Sequence, residues 1–189
     1  MIRSLPRAIV IGASAGALEA LSVILPALPE DFRLPIFIVV HIPPDKRSVL
    51  AELFRAKCKI RVSEVEDKEP IRPSTAYFAP PDYHVLVEKD HTLALTNEEP
   101  VLFSRPSIDV LFESAADIYG PDVVAVLLTG ANHDGAKGLL LIARAGGEVI
   151  VQDPETAFAA AMPQAGLDLC PDAAVLSLQG ITDYLRRVG

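Results

Sequence analysis

A chain of 189 residues, half of them hydrophobic and 22% charged, can bury a substantial core and is too apolar to remain disordered. Its formal net charge of -8 argues against non-specific nucleic-acid binding, which needs Lys and Arg to neutralise phosphates, and against docking on an anionic membrane surface. No apolar run reaches bilayer length, and Met1–Arg7 leads into the first apolar strand with no separate signal segment. Cys58 and Cys170 stand far apart without metal-ligand spacing, so a reducing, cytoplasmic setting is expected.

In chain order, Ala8–Ile11 reads as a buried strand, followed by a helix from about Ala15 to Leu28 whose apolar face carries Leu18, Leu21, Val23 or Ile24, and Leu25. Pro35–Val40 is a second apolar run, short and β-branched, of the kind buried on both faces of a parallel sheet. Asp45 is placed to cap a helix over residues 46–57 with Val49, Leu50, Leu53 and Phe54 on its inner face, and Val62–Val65 is a short strand. Thr75–Ala79 and Tyr83–Val87 flank Pro80-Pro81-Asp82, and Leu93–Thr96 follows the polar turn Glu88–Thr92; this pattern predicts an antiparallel hairpin or meander attached to the main sheet. Ser107 is placed to cap a helix reaching Tyr119, with Asp109 favourable in its first turn. Val123–Leu128 is the next strand, Gly135–Ala145 the next helix and Glu148–Val151 another strand; Ala174–Leu176 and a helix near Ile181–Val188 close the chain. Repeated βα units imply right-handed crossovers and an α/β fold: three-layer α/β/α, doubly wound, with a mostly parallel sheet and an antiparallel hairpin. No repeat or linker interrupts the pattern, so residues 1–189 are expected to form one domain.

The first strand runs into Gly12-Ala13-Ser14-Ala15-Gly16 and then a helix. A G-x-S-x-G between strand and helix makes a sharp turn that lifts the serine hydroxyl off the sheet edge and sets it at a helix N-terminus. The plainer explanation is a turn whose small residues let helix and sheet pack closely. In a doubly wound sheet, function collects at the C-terminal strand ends. Here those ends carry Ser14, His41 after Ile36–Val40, and the run Thr129-Gly130-Ala131-Asn132-His133-Asp134-Gly135-Ala136 after Val123–Leu128. Taken singly, His41 reads as a hydrogen-bonded loop residue and Asp134 as a turn or capping residue. Together they supply a nucleophile, a base and a carboxylate that orients the base. Dinucleotide binding fails, because Ser14 stands where close approach of a pyrophosphate needs Gly and the second strand ends in His41 rather than an acid. No P-loop motif occurs.

Gly12-Ala13-Ser14-Ala15-Gly16, Val40-His41-Ile42-Pro43, Ala79-Pro80 followed by His84, Arg105-Pro106-Ser107-Ile108-Asp109, Leu128-Thr129-Gly130 with Asp134-Gly135-Ala136, Val151-Gln152-Asp153 and Ala161-Met162-Pro163 occur in this order. In these motifs the chain resembles, over essentially its whole length, the catalytic domain of the chemotaxis protein-glutamate methylesterases. The resemblance implies a Ser14–His41–Asp134 triad. It also implies hydrolysis of glutamate γ-methyl esters on the cytoplasmic helices of methylated chemoreceptors, releasing methanol, with glutamine deamidation as a second activity. Such enzymes usually carry a receiver domain ahead of the first catalytic strand, whereas the sequence here starts at that strand, so it is expected to be either a stand-alone homologue, with a separate phospho-receiver protein as partner, or an excised domain. Ala15, Ala131 and Asn132 depart from the usual motifs, which touches the groove and oxyanion loop but leaves the triad.

The expected mechanism needs no metal or cofactor: Ser14 attacks, His41 accepts its proton, Asp134 orients the imidazole, and backbone N–H groups of Ala15, Gly16 and the Gly130–His133 loop, Ala131 in particular, receive the oxyanion. His133 is expected to point out of the site, and His84 and His91 to lie on the hairpin surface or substrate groove. Two rivals remain at this stage: a serine esterase of small molecules, and a catalytically weakened homologue acting as a signalling scaffold.

Overall fold

The computed structural model describes residues 6–41 and 49–189. The chain runs β1 (Ala8–Ala13), α1 (Ala17–Ile24), β2 (Ile36–Val40), α2 (Leu50–Arg55), β3 (Arg61–Glu64), β4 (Glu69–Pro70), β5 (Thr75–Phe78), β6 (His84–Val87), β7 (Thr92–Thr96), α3 (Ile108–Tyr119), β8 (Val123–Leu127), α4 (Ala136–Arg144), β9 (Glu148–Gln152), α5 (Ala161–Leu169), β10 (Ala174–Leu176) and α6 (Leu178–Val188). Seven strands form one sheet in the order β10-β9-β8-β1-β2-β5-β3, and every pairing in it is parallel. β1, β2 and β8 are buried along their whole lengths, as central strands covered on both faces must be.

Side chains alternate between two core layers. Ile9, Ile11 and Ala13 pack with Leu21 and Ile24 of α1, Phe54 of α2 and Ile181 and Leu185 of α6; Ala8 and Val10 pack with Leu111, Phe112 and Ala115 of α3 and Leu139 and Ile142 of α4. This is the expected α/β/α sandwich. From β1 the chain moves outward through β2, and β8 returns on the other side of β1. The strand order therefore reverses beside β1, where such folds open a crevice at the C-terminal strand ends.

Three local expectations differ from the structure. Thr75–Ala79 belongs to no hairpin: β5 inserts between β2 and β3 in the main sheet, its residues buried throughout, which a central parallel position satisfies and a surface hairpin would not. The antiparallel element is instead a separate sheet, β4-β7-β6, resting on α3 through Val85 and Val87. Leu18, placed on the inner face of the first helix, is exposed, and of the alternatives Val23 and Ile24 it is Ile24 that faces inward, because α1 presents only Ala17, Ala20, Leu21 and Ile24 to the core; Val49 is likewise exposed while Ala51 is buried. The cap at Asp45 and helical residues 46–48 lie outside the described residues. A further helix, α5, stands between β9 and β10, where no element is expected from the sequence. Pro163 is the third helical residue, where a backbone N–H has no intrahelical partner, and Gly166 lies where a Cβ would come within 2.8 Å of Leu127 Cδ2.

Gly138 sets the approach of α4 to α3. A Cβ there would meet Phe112 Cβ at 2.5 Å and the Asp109 backbone at 3.1 Å. Gly138→Ala is expected to destabilise the protein by about 1–3 kcal/mol through overpacking, read as a lower urea midpoint at unchanged m-value.

Candidate active site

β1 ends in a turn that is pinned on both sides. The Ser14 N–H donates to Thr129 O at 2.9 Å and its carbonyl accepts from Ala17 N at 2.9 Å. Gly16 has φ 85°, a left-handed conformation that a side chain rarely adopts, and a Cβ there would also meet Phe158 Cβ at 2.6 Å. The Thr129 hydroxyl donates to Ala15 O at 2.8 Å and accepts from Ala159 N at 2.9 Å, while Gln152 Oε1 accepts from Thr129 N at 2.9 Å. The serine turn is thus held to the loop after β8 by a threonine whose polar groups are all used. Ser14 is half-buried, and Phe158, mostly exposed, stands beside Gly16.

The β1–β2 register pairs Ala13 with Val40, and the His41 N–H donates to Ala13 O at 3.2 Å, so Ser14 and His41 are the next residues out of adjacent strands. The His41 ring reaches Asp134, Nε2 to Oδ2, at 2.7 Å. Asp134 has no exposed surface. Besides His41 it accepts from Ile108 N at 2.6 Å, Asp109 N at 3.0 Å and the Ser107 hydroxyl at 2.8 Å. These groups form the N-terminus of α3, where free N–H groups and the helix dipole favour an anion. Burial pushes the Asp134 carboxyl up, but the bonds from His41 and from the Ile108 and Asp109 amides outweigh it and hold the group below the ordinary carboxylate range.

An ionised carboxylate only accepts, so Nε2 of His41 donates and, in the neutral ring, Nδ1 is the free base. Nδ1 faces Asn132 Nδ2 at 3.2 Å. Asn132 in turn accepts on Oδ1 from Asp134 N at 3.1 Å, forming an Asx turn that fixes which end of its amide faces the histidine.

Two buried residues support this centre. His84 is 1% exposed, accepts on Nδ1 from Ser107 N at 3.1 Å and contacts Glu99 O through Nε2 at 3.2 Å. It belongs to the interior, not to the hairpin surface or a substrate groove, because its two ring nitrogens match one donor and one acceptor there. Ser107 precedes α3 but its hydroxyl serves Asp134 rather than its own helix. Asp109, expected to favour its own first turn, reaches across: Oδ1 accepts from Gly135 N at 3.0 Å and Gly138 N at 2.7 Å, capping α4. Asp134, just before α4, caps α3, and Asp109, in α3, caps α4. Burial dominates at Asp109 and raises its carboxyl, helped by the charge of Asp134 and opposed by the Gly138 and Gly135 amides. Among the described residues its buried Oδ2 has no hydrogen-bond partner.

Of the residues singled out from sequence, Ser14, His41 and Asp134 lie at three neighbouring strand ends. Among the described residues the N–H groups of Ala15, Gly16 and Ala131 have no partner and remain available to an oxyanion. Gly130 drops out of that set, because its N–H donates to Ala159 O at 3.0 Å. His133 is exposed and lines a groove with Leu102, Lys137, Gln164 and Asp168; His41 is not among the residues lining it. His91 is an exposed turn residue. Cys58 is half-buried, its thiol pushed up to about 11 by burial with slight opposition from Lys57, and Cys170 is buried. Among the described residues no His, Cys, Asp or Glu cluster could hold a metal ion, and no helix is long and apolar enough to cross a membrane. Sequence reasoning gave no functional role to Asn132, Ser107 or Phe158. Their only signals were the departure at Asn132 and the Ser107-Ile108-Asp109 motif.

A doubly wound α/β sheet with a serine turn, a histidine and a buried aspartate at adjoining strand ends has the architecture of a serine hydrolase. Residues 9–185 match the family model described as CheB methylesterase, and the chain belongs to that family. A protein of Leptospira interrogans, provisionally named a protein-glutamate methylesterase/protein-glutamine glutaminase, is 46% identical over 181 residues, covering 96% of this chain and 94% of its own length. The protein-glutamate methylesterase/protein-glutamine glutaminase of Symbiobacterium thermophilum is 36% identical over 184 residues, covering 97% of this chain but 51% of its own. The crystal structure of the Thermotoga maritima CheB methylesterase catalytic domain superposes with a TM-score of 0.92 at 32% identity, covering 98% of this chain and 100% of that one.

Two stability measurements check the paired caps. Asp109→Ala should lose both amide bonds and cost about 1–3 kcal/mol, whereas Asp109→Asn keeps an acceptor oxygen for both and should lie closer to wild type in thermal unfolding. Because the folded Asp134 carboxyl lies below its unfolded value, its stabilisation is present above the ordinary carboxylate range and is lost as pH falls through the folded value. The stability gap between wild type and Asp134→Asn should therefore shrink as pH drops below about 4, read by urea titration at successive pH values.

Proposed function

We propose that this chain hydrolyses glutamate γ-methyl esters on the cytoplasmic helices of chemoreceptors, releasing methanol, and deamidates receptor glutamines through the same site. The observation that carries this reading is the His41–Asp134 bond of 2.7 Å, held at the buried N-terminus of α3 and in register with Ser14. Family membership supplies the substrate class. In this reading residues 1–189 act as one catalytic unit in the cytoplasm.

Ser14 Oγ attacks the ester carbonyl while His41 Nδ1 takes its proton. The resulting imidazolium is stabilised by Asp134, which remains ionised. The oxyanion is received by the N–H groups of Ala15, Gly16 and Ala131. His41 returns the proton to the departing methoxide, or, when the substrate is a glutamine, to the departing amide nitrogen, which leaves as ammonia, and then activates the water that hydrolyses the acyl-enzyme. Phe158, standing beside Gly16, offers an apolar wall to the substrate side chain.

Ser14→Ala replaces one small turn residue by another and should fold normally while losing methanol release from methyl-labelled receptor by many thousand-fold, about 5–8 kcal/mol of transition-state stabilisation. His41→Ala should be nearly as damaging, and the double variant little worse than either. Asp134→Asn should lose about 10⁴-fold in turnover and His133→Ala much less. Retained activity in well-folded Ser14→Ala would sink the reading.

A further inference from the structure

Ser14 and His41 are neighbours by register, yet among the described residues no hydrogen bond joins them. The nitrogen that would serve Ser14 faces Asn132 instead. We infer that Asn132 is a positioning residue that holds the base in reserve: its carboxamide occupies the Nδ1 lone pair of His41 in the free protein and must let go before Ser14 can transfer its proton. The inference rests on the proposed function and deepens it.

The directions of the hydrogen bonds leave one arrangement. The Asp134 backbone N–H can only donate, so the group 3.1 Å from it is the Asn132 oxygen, and the NH₂ faces Nδ1 at 3.2 Å. Nε2 must carry the ring proton, because it lies 2.7 Å from the ionised Asp134. Nδ1 is left with a single in-plane lone pair, and one donor occupies it. Asp134 alone is sufficient to set the tautomer, so the Asn132 bond is not needed for that purpose. Its consequence is competition with Ser14 for the base.

Asn132 also couples this competition to the loop, since its oxygen closes the Asx turn ahead of α4 and its loop neighbour Ala131 offers one of the candidate oxyanion N–H groups. A substrate that engages the loop can draw the amide away from Nδ1 and free the base at the moment of binding. The chain would then be selective for substrates large enough to contact the loop, and slow towards small reactive esters.

The test uses a small fluorophosphonate that does not reach the loop. In the labelling step Ser14 Oγ forms the P–O bond, fluoride leaves and the hydroxyl proton passes to His41 Nδ1. Asn132→Ala removes the competing donor and should accelerate labelling by about three- to tenfold, the worth of one neutral hydrogen bond. Asn132→Asp keeps the oxygen that accepts from Asp134 N–H but turns the donor facing Nδ1 into an acceptor. Facing Asp134 on one side and the new carboxylate on the other, His41 should then protonate more readily, moving the acid limb of the labelling rate up by about 1–3 pH units. ¹⁵N spectra of the histidine rings should show His41 as the Nε2–H tautomer in wild type, with its Nδ1 resonance moved in Asn132→Ala. Absence of Ser14 labelling in wild type overturns the nucleophile assignment and the inference with it. Labelled wild type, with Asn132→Ala no faster and the acid limb of Asn132→Asp unmoved, overturns the inference alone.

Discussion

A carboxylate with no exposed surface stays ionised only if donors replace the water it has lost, and the C-terminal edge of this sheet is organised around meeting that demand at Asp134. Two helix amides, a serine hydroxyl and one histidine nitrogen surround it. Since three of those four donors come from the start of α3, the carboxylate position is set by a helix docked on the sheet rather than by the loop that carries it. The loop is held in turn by Asp109, reaching from α3 to the first amides of α4. Each helix thereby caps the other, and the close α3–α4 crossing permitted at Gly138 is what brings the two exchanges within reach.

The same constraint explains the asymmetry between the two acids. Asp134 has donors on both oxygens and lies below the ordinary carboxylate range, whereas Asp109 uses one oxygen, leaves the other buried with no partner among the described residues and is raised. Two carboxylates packed together cannot both be well solvated by a fixed set of amides, and here the donors favour the one that faces the histidine. His84 extends the support outward by accepting from the Ser107 amide, so the orientation of the serine hydroxyl at Asp134 depends on a side chain far from the reacting atoms.

The nucleophile side is held by different means. Thr129 ties the serine turn to the loop after β8 through backbone carbonyl and amide groups, and Gly16 permits the left-handed step that starts α1. The carboxylate of Asp134 is buried with donors on both oxygens, while Phe158 beside Gly16 is left mostly exposed.

The strands were legible in the sequence because a strand buried on both faces must be apolar throughout, and Ala8–Ala13, Ile36–Val40 and Val123–Leu127 are. Ser14, His41 and Asp134 were legible because strand ends are countable along the chain. Local pattern could not place β5, since a short strand between turns reads alike in a hairpin and in a parallel sheet. Nor could it show that Leu18 and Val23 face outward, that Pro163 opens a helix, or that His84 is internal; each depends on which element packs opposite. The sequence alone determined the α/β class, the order of the elements and the residue types available at the crevice. Tertiary structure decided that Asp109 caps α4, that Ser107 serves Asp134, and that Asn132 faces the histidine. Those are pairings between groups 26 or more residues apart in sequence, and they exist only once the elements that carry them have packed together.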